Sequence, residues 1–214
     1  VGYRFWETAA EEGLINYEEN VLYPFGYGLS YTEFEQEMGE VKAADGTISV
    51  DITVTNKGDV AGKDVAEVYY NPPYTNGGIE KSSVNLAGFA KTGIIEPGES
   101  ETVTVTFTEE DMASYDYEDA KAYVLEEGDY EISLRSDSHN VIDEETYKIA
   151  ETVVYGDGNQ RSTDAELASN KLDYANGGLT YLSREDGFAN YEEATAAPTN
   201  FTMSDEDKAT FMNN

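Results

Sequence analysis

The sequence predicts an all-β chain: an antiparallel β-sandwich with irregular N- and C-terminal extensions. Two observations carry that expectation. Apolar residues recur at every second position in several short stretches, and clusters of turn residues separate those stretches at fairly regular spacing. A third supports it, since no long amphipathic helical pattern interrupts the series.

Taken in order, Ile48, Val50, Ile52 and Val54 alternate with Ser49, Asp51, Thr53 and Thr55, the signature of a half-buried strand. Asn56-Lys57-Gly58-Asp59 then supplies turn chemistry. Val65, Ala66, Val68, Tyr69 and Tyr70 predict a second strand, stopped by Pro72 and Pro73. Leu86 to Thr92 predict a third, followed by the turn Glu96-Pro97-Gly98-Glu99. Val103, Val105 and Phe107 alternate with threonines, and Tyr123-Val124 precede the turn Glu127-Gly128-Asp129. Tyr130, Ile132 and Leu134 alternate again, and Tyr147 to Tyr155 close the series. About seven short strands so spaced fit an immunoglobulin-like sandwich. The chain has no cysteine, so the Cys-Trp-Cys set of antibody domains is absent and a fibronectin type III-like subtype fits better.

Three regions follow. Residues 34–155 hold the sandwich. Residues 1–33 are rich in aromatic residues and glycine without periodicity, and are expected to be an irregular segment packing its rings on something larger. Within it, Glu11 to Asn20 read as an exposed insertion. Residues 156–214 lose the alternation and read as a linker or loosely attached arm leading towards a further domain. Near its end, Ser204 is placed to cap a helix whose first turn holds Asp205, Glu206 and Asp207. Beginning with Val1 rather than Met, the chain reads as a piece of a longer polypeptide, and nothing in it separates a secreted from a cytoplasmic protein.

Composition narrows the function. Forty-four acidic residues against 13 basic ones give a formal net charge of −31 over 214 residues. No basic stripe exists to neutralise phosphates, which argues against nucleic acid and anionic membranes as partners. A solubilising acidic surface is the simple reading, with calcium binding by clustered carboxylates as the other, although no EF-hand spacing occurs. No apolar run approaches the ~20 residues of a membrane span. With His139 as the single histidine, a multi-histidine metal site within the chain is ruled out. His139 reads as an exposed loop residue, with a pH-dependent contact as the alternative. No cofactor is expected. The 17 tyrosines could form a sugar-stacking platform, but Tyr69, Tyr123 and Tyr130 fall in strand patterns and read as packing residues.

The stretch Leu22-Tyr23-Pro24-Phe25-Gly26-Tyr27-Gly28-Leu29-Ser30-Tyr31-Thr32 resembles the PFGYGLSYT motif of family 3 glycoside hydrolases, and Val1-Gly2-Tyr3-Arg4-Phe5 resembles that family's VGYRYY stretch. Val54-Thr55-Asn56-Lys57-Gly58, Ala61-Gly62-Lys63-Asp64-Val65, Leu86-Ala87-Gly88-Phe89-Ala90-Lys91 and Pro97-Gly98-Glu99-Ser100 are similar to motifs of the fibronectin type III-like domain in the same family, in the expected order. The resemblance implies an accessory sandwich that packs against the catalytic domains of the same polypeptide, in an enzyme hydrolysing terminal non-reducing sugar residues as β-glucosidases do. Its oligosaccharide would meet the parent's active site. The implied docking residues are Tyr3, Arg4, Pro24, Phe25, Gly26, Tyr27, Gly28, Leu29, Ser30 and Tyr31. Tyr181-Leu182-Ser183-Arg184-Glu185-Asp186, with Ala197-Pro198-Thr199, resembles the connector of members with rearranged order, where the barrel follows the sandwich. Gly187 stands where that pattern has Trp.

Catalysis is not expected from this stretch. Retaining glycosidases need two carboxyl groups about 5 Å apart across the scissile bond. Ser136-Asp137-Ser138 and Ser204-Asp205-Glu206 only superficially match the family's Ser-Asp-Trp setting, and neither has the Trp. The alternative from another class is a carbohydrate- or surface-binding module, and the loop Pro72 to Gly78 is the best candidate for a functional edge.

Overall fold

A computed structural model describes residues 2–169, 179–197 and 203–213. The alternating stretches form strands, and the hydrophobic effect turns their apolar sides towards one another. β3 (Thr47–Asn56) is the axis of the first sheet, with Ile48, Val50, Ile52 and Val54 fully buried. β6 (Ser100–Thr108) pairs antiparallel with it along its length, Val50 opposite Val105. The other edge of β3 is shared by β1 (Phe34–Met38) and β2 (Lys42–Ala44), two short pieces outside the strand series expected from sequence. The second sheet runs β10 (Val141–Ile149), β9 (Gly128–Arg135), β4 (Val65–Asn71), β5 (Asn85–Lys91). A ribbon of β7 (Ser114–Asp116), β8 (Ala122–Leu125) and β11 (Val153–Tyr155) completes the strands. Between the main sheets, Ile48, Val50, Ile52 and Phe107 join Val68, Tyr70, Ile132 and Leu134 in one core cluster. Each such side chain contributes about 1.5–3 kcal/mol by leaving water.

The second sheet departs from simple alternation. On β4 both Tyr69 and Tyr70 are buried, and on β9 Ser133 and Arg135 are as hidden as Ile132 and Leu134. A sheet buried on both faces needs a covering layer. The N-terminal segment supplies it. Residues 3–11, expected to be irregular, form α1 (Tyr3–Glu11), whose Glu7, Thr8 and Ala9 are buried. Ala9 and Ala10 favour helix, but a helix this short shows little periodicity in sequence. The expected exposed insertion from Glu11 to Asn20 includes α2 (Tyr17–Asn20), and Tyr17 is buried.

Asn56, fully buried at the end of β3, ties three segments together. Its amide donates to the carbonyls of Val60 (2.8 Å) and Ile95 (2.9 Å), and its Oδ1 accepts from Thr32 Oγ1 (2.7 Å) and the Gly58 amide (3.1 Å). The V-T-N-x-G motif thus pins its own turn, the Ile95 loop and the end of the N-terminal cover.

The C-terminal part is not a loosely attached arm throughout. Residues 181–190 dock on the sandwich and α1, through α3 (Glu185–Phe188), where Asp186 and Gly187 take left-handed backbone angles. α4 (Tyr191–Ala194) follows. In α5 (Asp205–Asn213), Ser204 Oγ accepts from the Asp207 amide at 3.0 Å, the cap expected from sequence. Val1, Pro198 and Thr199 lie outside the described residues.

Replacing Asn56 by Ala removes its two donated and two accepted hydrogen bonds and frees Thr32 at once. An Asn56→Ala variant is expected to lose about 3 kcal/mol of stability, read as a lower urea midpoint. An unchanged midpoint would show that the hub is dispensable.

Candidate functional site

The surface assembled from residues 3–31 has an inner side that fastens to the sandwich and an outer side left in solvent. On the inner side, the Tyr3 ring stacks on Phe25 with centroids 4.6 Å apart and meets Tyr69 edge-on at 6.3 Å. The Tyr3 hydroxyl accepts from the Leu86 amide of β5 at 2.8 Å. Thr8 Oγ1 accepts from the Ser83 amide at 2.9 Å. The Phe25 carbonyl accepts from the Ser138 amide at 2.8 Å.

Glu7 is the electrostatic centre of this seam. Its Oε1 accepts from the hydroxyls of Tyr17 and Ser138, each at 2.7 Å, and its Oε2 lies 2.8 Å from His139 Nδ1. His139 stacks on Tyr17 with centroids 3.7 Å apart and planes within 3°. The exposed loop histidine expected from sequence is therefore a half-buried seam residue, because the unforeseen α1 and α2 close over it. Burial, and then the bond to Glu7, pushes the Tyr17 phenol well above its ordinary value, so it stays a donor. Arg135, also buried, donates to Ser133 Oγ, the Ser138 carbonyl and Asn71 Oδ1 at 2.8–2.9 Å.

The ten residues of the expected docking set divide between the two sides. Tyr3 and Gly26 face inward onto the sheet, and Phe25 is held by its carbonyl and by its stack on Tyr3 while its ring stays half exposed. Pro24 and Tyr27 form a tight turn, the Tyr27 amide donating to the Pro24 carbonyl at 3.1 Å. Ser30 Oγ accepts from the Thr32 amide. Arg4 lies exposed on α1. Gly28 is open, with no heavy atom within 4 Å of where a side chain would begin. Leu29 (89 % exposed) and Tyr31 (101 %) reach fully into solvent, beside Leu22, Tyr23 and Tyr27.

A second anchorage escaped the sequence reading. Arg184 is buried, donating to Glu12 Oε1 at 2.5 Å and Glu11 Oε1 at 2.8 Å, with its guanidinium 4.1 Å from the Tyr74 ring centroid. The Arg184 amide and Ser183 hydroxyl donate to Glu80, and Asn76 exchanges two bonds with Asp186. Phe188 is buried near Phe5, centroids 6.0 Å apart. The Pro72 to Gly78 loop is thus held by this strap. The only hint in sequence was the Ser183-Arg184 motif itself, since ion pairs between distant segments leave no periodic trace.

Gly26 sits at φ 89° with Glu67 Oε2 only 2.2 Å from where a Cβ would stand. Gly26→Ala is expected to cost about 1–2 kcal/mol from the backbone alone, and it should lift the cover locally, seen as faster amide exchange at Ser138. Burial holds the Glu67 carboxyl above its ordinary 4.5, against the Tyr69 hydroxyl that donates to it at 2.6 Å, while Asp137 and Asp64 add to the rise. A carboxyl raised in the folded state binds its proton more tightly there than when unfolded, so its stabilisation is full below pH 4.5 and is lost as pH climbs through the folded-state value. Glu67→Gln should flatten that loss in urea midpoints measured from about pH 4 to 7. Parallel profiles for the two proteins would refute it.

A family model for the fibronectin type III-like domain matches residues 64–138. Beta-glucosidase A of Butyrivibrio fibrisolvens is 35 % identical over 191 residues, covering 80 % of this chain and 21 % of that protein. The solved beta-glucosidase 3B of Thermotoga neapolitana matches with a TM-score of 0.62 and 35 % identity, covering 72 % of this chain and 20 % of that one. The GH3 beta-glucosidase of Bifidobacterium adolescentis matches with a TM-score of 0.59 and 29 % identity over 70 % of this chain and 20 % of that one. The chain thus spans about a fifth of the length of these relatives. The sandwich, its motifs and these likenesses converge: residues 64–138 carry a fibronectin type III-like domain, in a chain similar to the part of family 3 beta-glucosidases that holds one.

Proposed function

We propose that this chain is the non-catalytic buttress of a β-glucosidase-like enzyme, docking through the outer side of residues 22–31 onto the catalytic domains of the same polypeptide. The observation that carries the reading is the exposure of Leu22, Tyr23, Tyr27, Leu29 and Tyr31 along one strip fixed to the sandwich by the Phe25 carbonyl and the Thr32 hydroxyl. Fixing the strip beforehand lowers the ordering cost of docking, and large rings supply interface area. Rows of apolar side chains in water are otherwise costly, and such patches mark interaction surfaces.

In this reading the parent hydrolyses terminal non-reducing sugar residues with retention, and both reacting carboxyl groups belong to its other domains. Residues 1–33 are the junction from a preceding catalytic-body domain. The strap around Arg184 leads the chain on towards a barrel that follows the sandwich. The reading frame flanking these codons tests that order: a barrel with a Ser-Asp-Trp motif downstream supports it, and a barrel upstream overturns it.

The purified chain is expected to fold and to release no product from an aryl β-glucoside, whereas turnover by the pure chain would overturn the non-catalytic reading. Leu29→Asp and Tyr31→Asp should change the stability of the chain alone by no more than about 0.5 kcal/mol. The same changes in the complete enzyme should lower its melting temperature by about 1 °C or more. Equal, small effects in both contexts would remove the strip from the interface.

A further inference from the structure

Beside the β7–β8–β11 ribbon lies a groove of about 790 Å³ lined by Tyr115, Tyr117, Lys121, Tyr123, Tyr181 and Leu182. Through Tyr117, Tyr181 and Glu80 it continues into a polar recess of about 470 Å³ beside Glu118 and Asp119. Both volumes fall within the range of small-molecule sites. The rings pair edge to face, Tyr117 with Tyr181 at 5.7 Å and Tyr115 with Tyr123 at 5.4 Å, each pair inclined by 70°. Tyr117 and Tyr181 remain 39 % and 49 % exposed.

The walls are held from behind. Arg161, paired with Asp164 at 2.8 Å, lays its guanidinium 3.4 Å from the Tyr123 ring centroid. Asp116 accepts the amides of Glu118, Asp119 and Ala120 at 3.0–3.1 Å, which shapes the turn carrying Tyr117. Tyr181 belongs to the strap, its carbonyl accepting from Asn190 at 2.8 Å, with Ser183 and Arg184 anchored on Glu80 just beyond. Burial, reinforced by Glu118, pushes the Tyr117 phenol up to about 12, which keeps its hydroxyl protonated at ordinary pH.

The charge pattern selects the ligand class. A net charge of −31 repels anions. A cation would need several converging carboxylates, but among the described residues lining the aromatic groove the acid is Glu80, which is taken by Ser183 and Arg184, while Lys121 adds positive charge to the wall; Glu118, Asp119 and Glu185 border the adjoining recess without forming a metal cluster. What remains is aromatic surface bordered by hydroxyl, ammonium and a few carboxylate groups. A pyranose, with apolar C–H faces and a hydroxyl rim, complements that combination. We propose that this groove binds a short uncharged oligosaccharide, stacked on Tyr117 and Tyr181 and hydrogen-bonded by Glu118, Asp119 and Lys121. The proposal is independent of the docking strip, which lies on other residues.

Calorimetric titration of the chain with cellopentaose tests it, with tetramethylammonium chloride as the competing probe. Saturable cellopentaose binding tighter than about 1 mM is expected. Tyr117→Ala and Tyr181→Ala, which come from different segments, should each weaken it at least about tenfold with the fold intact by circular dichroism. Tyr117→Phe should stay within about threefold of the native chain, because the ring face is kept. Absence of saturable binding up to about 10 mM, binding indifferent to both alanine changes, or Tyr117-dependent binding of tetramethylammonium in place of the sugar would each overturn the proposal.

Discussion

A polar sheet face under a cover is the constraint on which the rest of this structure depends. Tyr69, Ser133 and Arg135 lie on the outer side of the β4–β9 pair, yet all three are buried. Buried polar groups without partners cost about 1–3 kcal/mol each; the sandwich pairs Tyr69 with Glu67 and Arg135 with Ser133, Asn71 and the Ser138 carbonyl, and the covering segment must match the polar groups left at the Ser138–His139 edge. Residues 3–27 do so. Glu7 receives Tyr17, Ser138 and His139; the Phe25 carbonyl receives the Ser138 amide; Gly26 leaves room for the Glu67–Tyr69 pair. The seam is specific because it is polar, and a slipped cover would strand several of these groups together.

Once the cover is fixed, it organises both flanks of the sandwich. Towards the N-terminal side of the sandwich it hands the chain to the Leu22–Tyr31 strip, held at its far end by the Thr32–Asn56 bond. On the opposite flank, Glu11 and Glu12 of α1 and its border become the receptors for Arg184. One short helix therefore joins the exposed aromatic strip, the second sheet and the C-terminal strap. That linkage is consistent with the proposed docking role, which calls for a stiff surface. It also fixes Tyr181 as a wall of the tyrosine groove.

Legibility from sequence followed the range of the interactions. The strands of β3, β6 and β9 were plain because alternation is written within about ten residues of chain. The Ser204 cap was plain for the same reason. α1 is not legible in the sequence, since nine residues with a face split between Glu7, Thr8 and Ala9 give no clean apolar stripe. His139 was read as exposed because its partners, Glu7 and Tyr17, lie more than 120 residues away. The residues of the strip are legible as a motif, but their division into inward Tyr3 and Gly26 and outward Leu29 and Tyr31 is not.

The sequence by itself determined the all-β class and the strand series, and it carries motifs similar to those of the family 3 fibronectin type III-like domain, because period-two patterning and turn chemistry are local. Tertiary structure alone decided which face of the second sheet is covered, what Glu7 and Arg184 hold, and which tyrosines stay in solvent. Those outcomes depend on hydrogen bonds and ion pairs between segments far apart in the chain, whose geometry exists only after the sheets have packed.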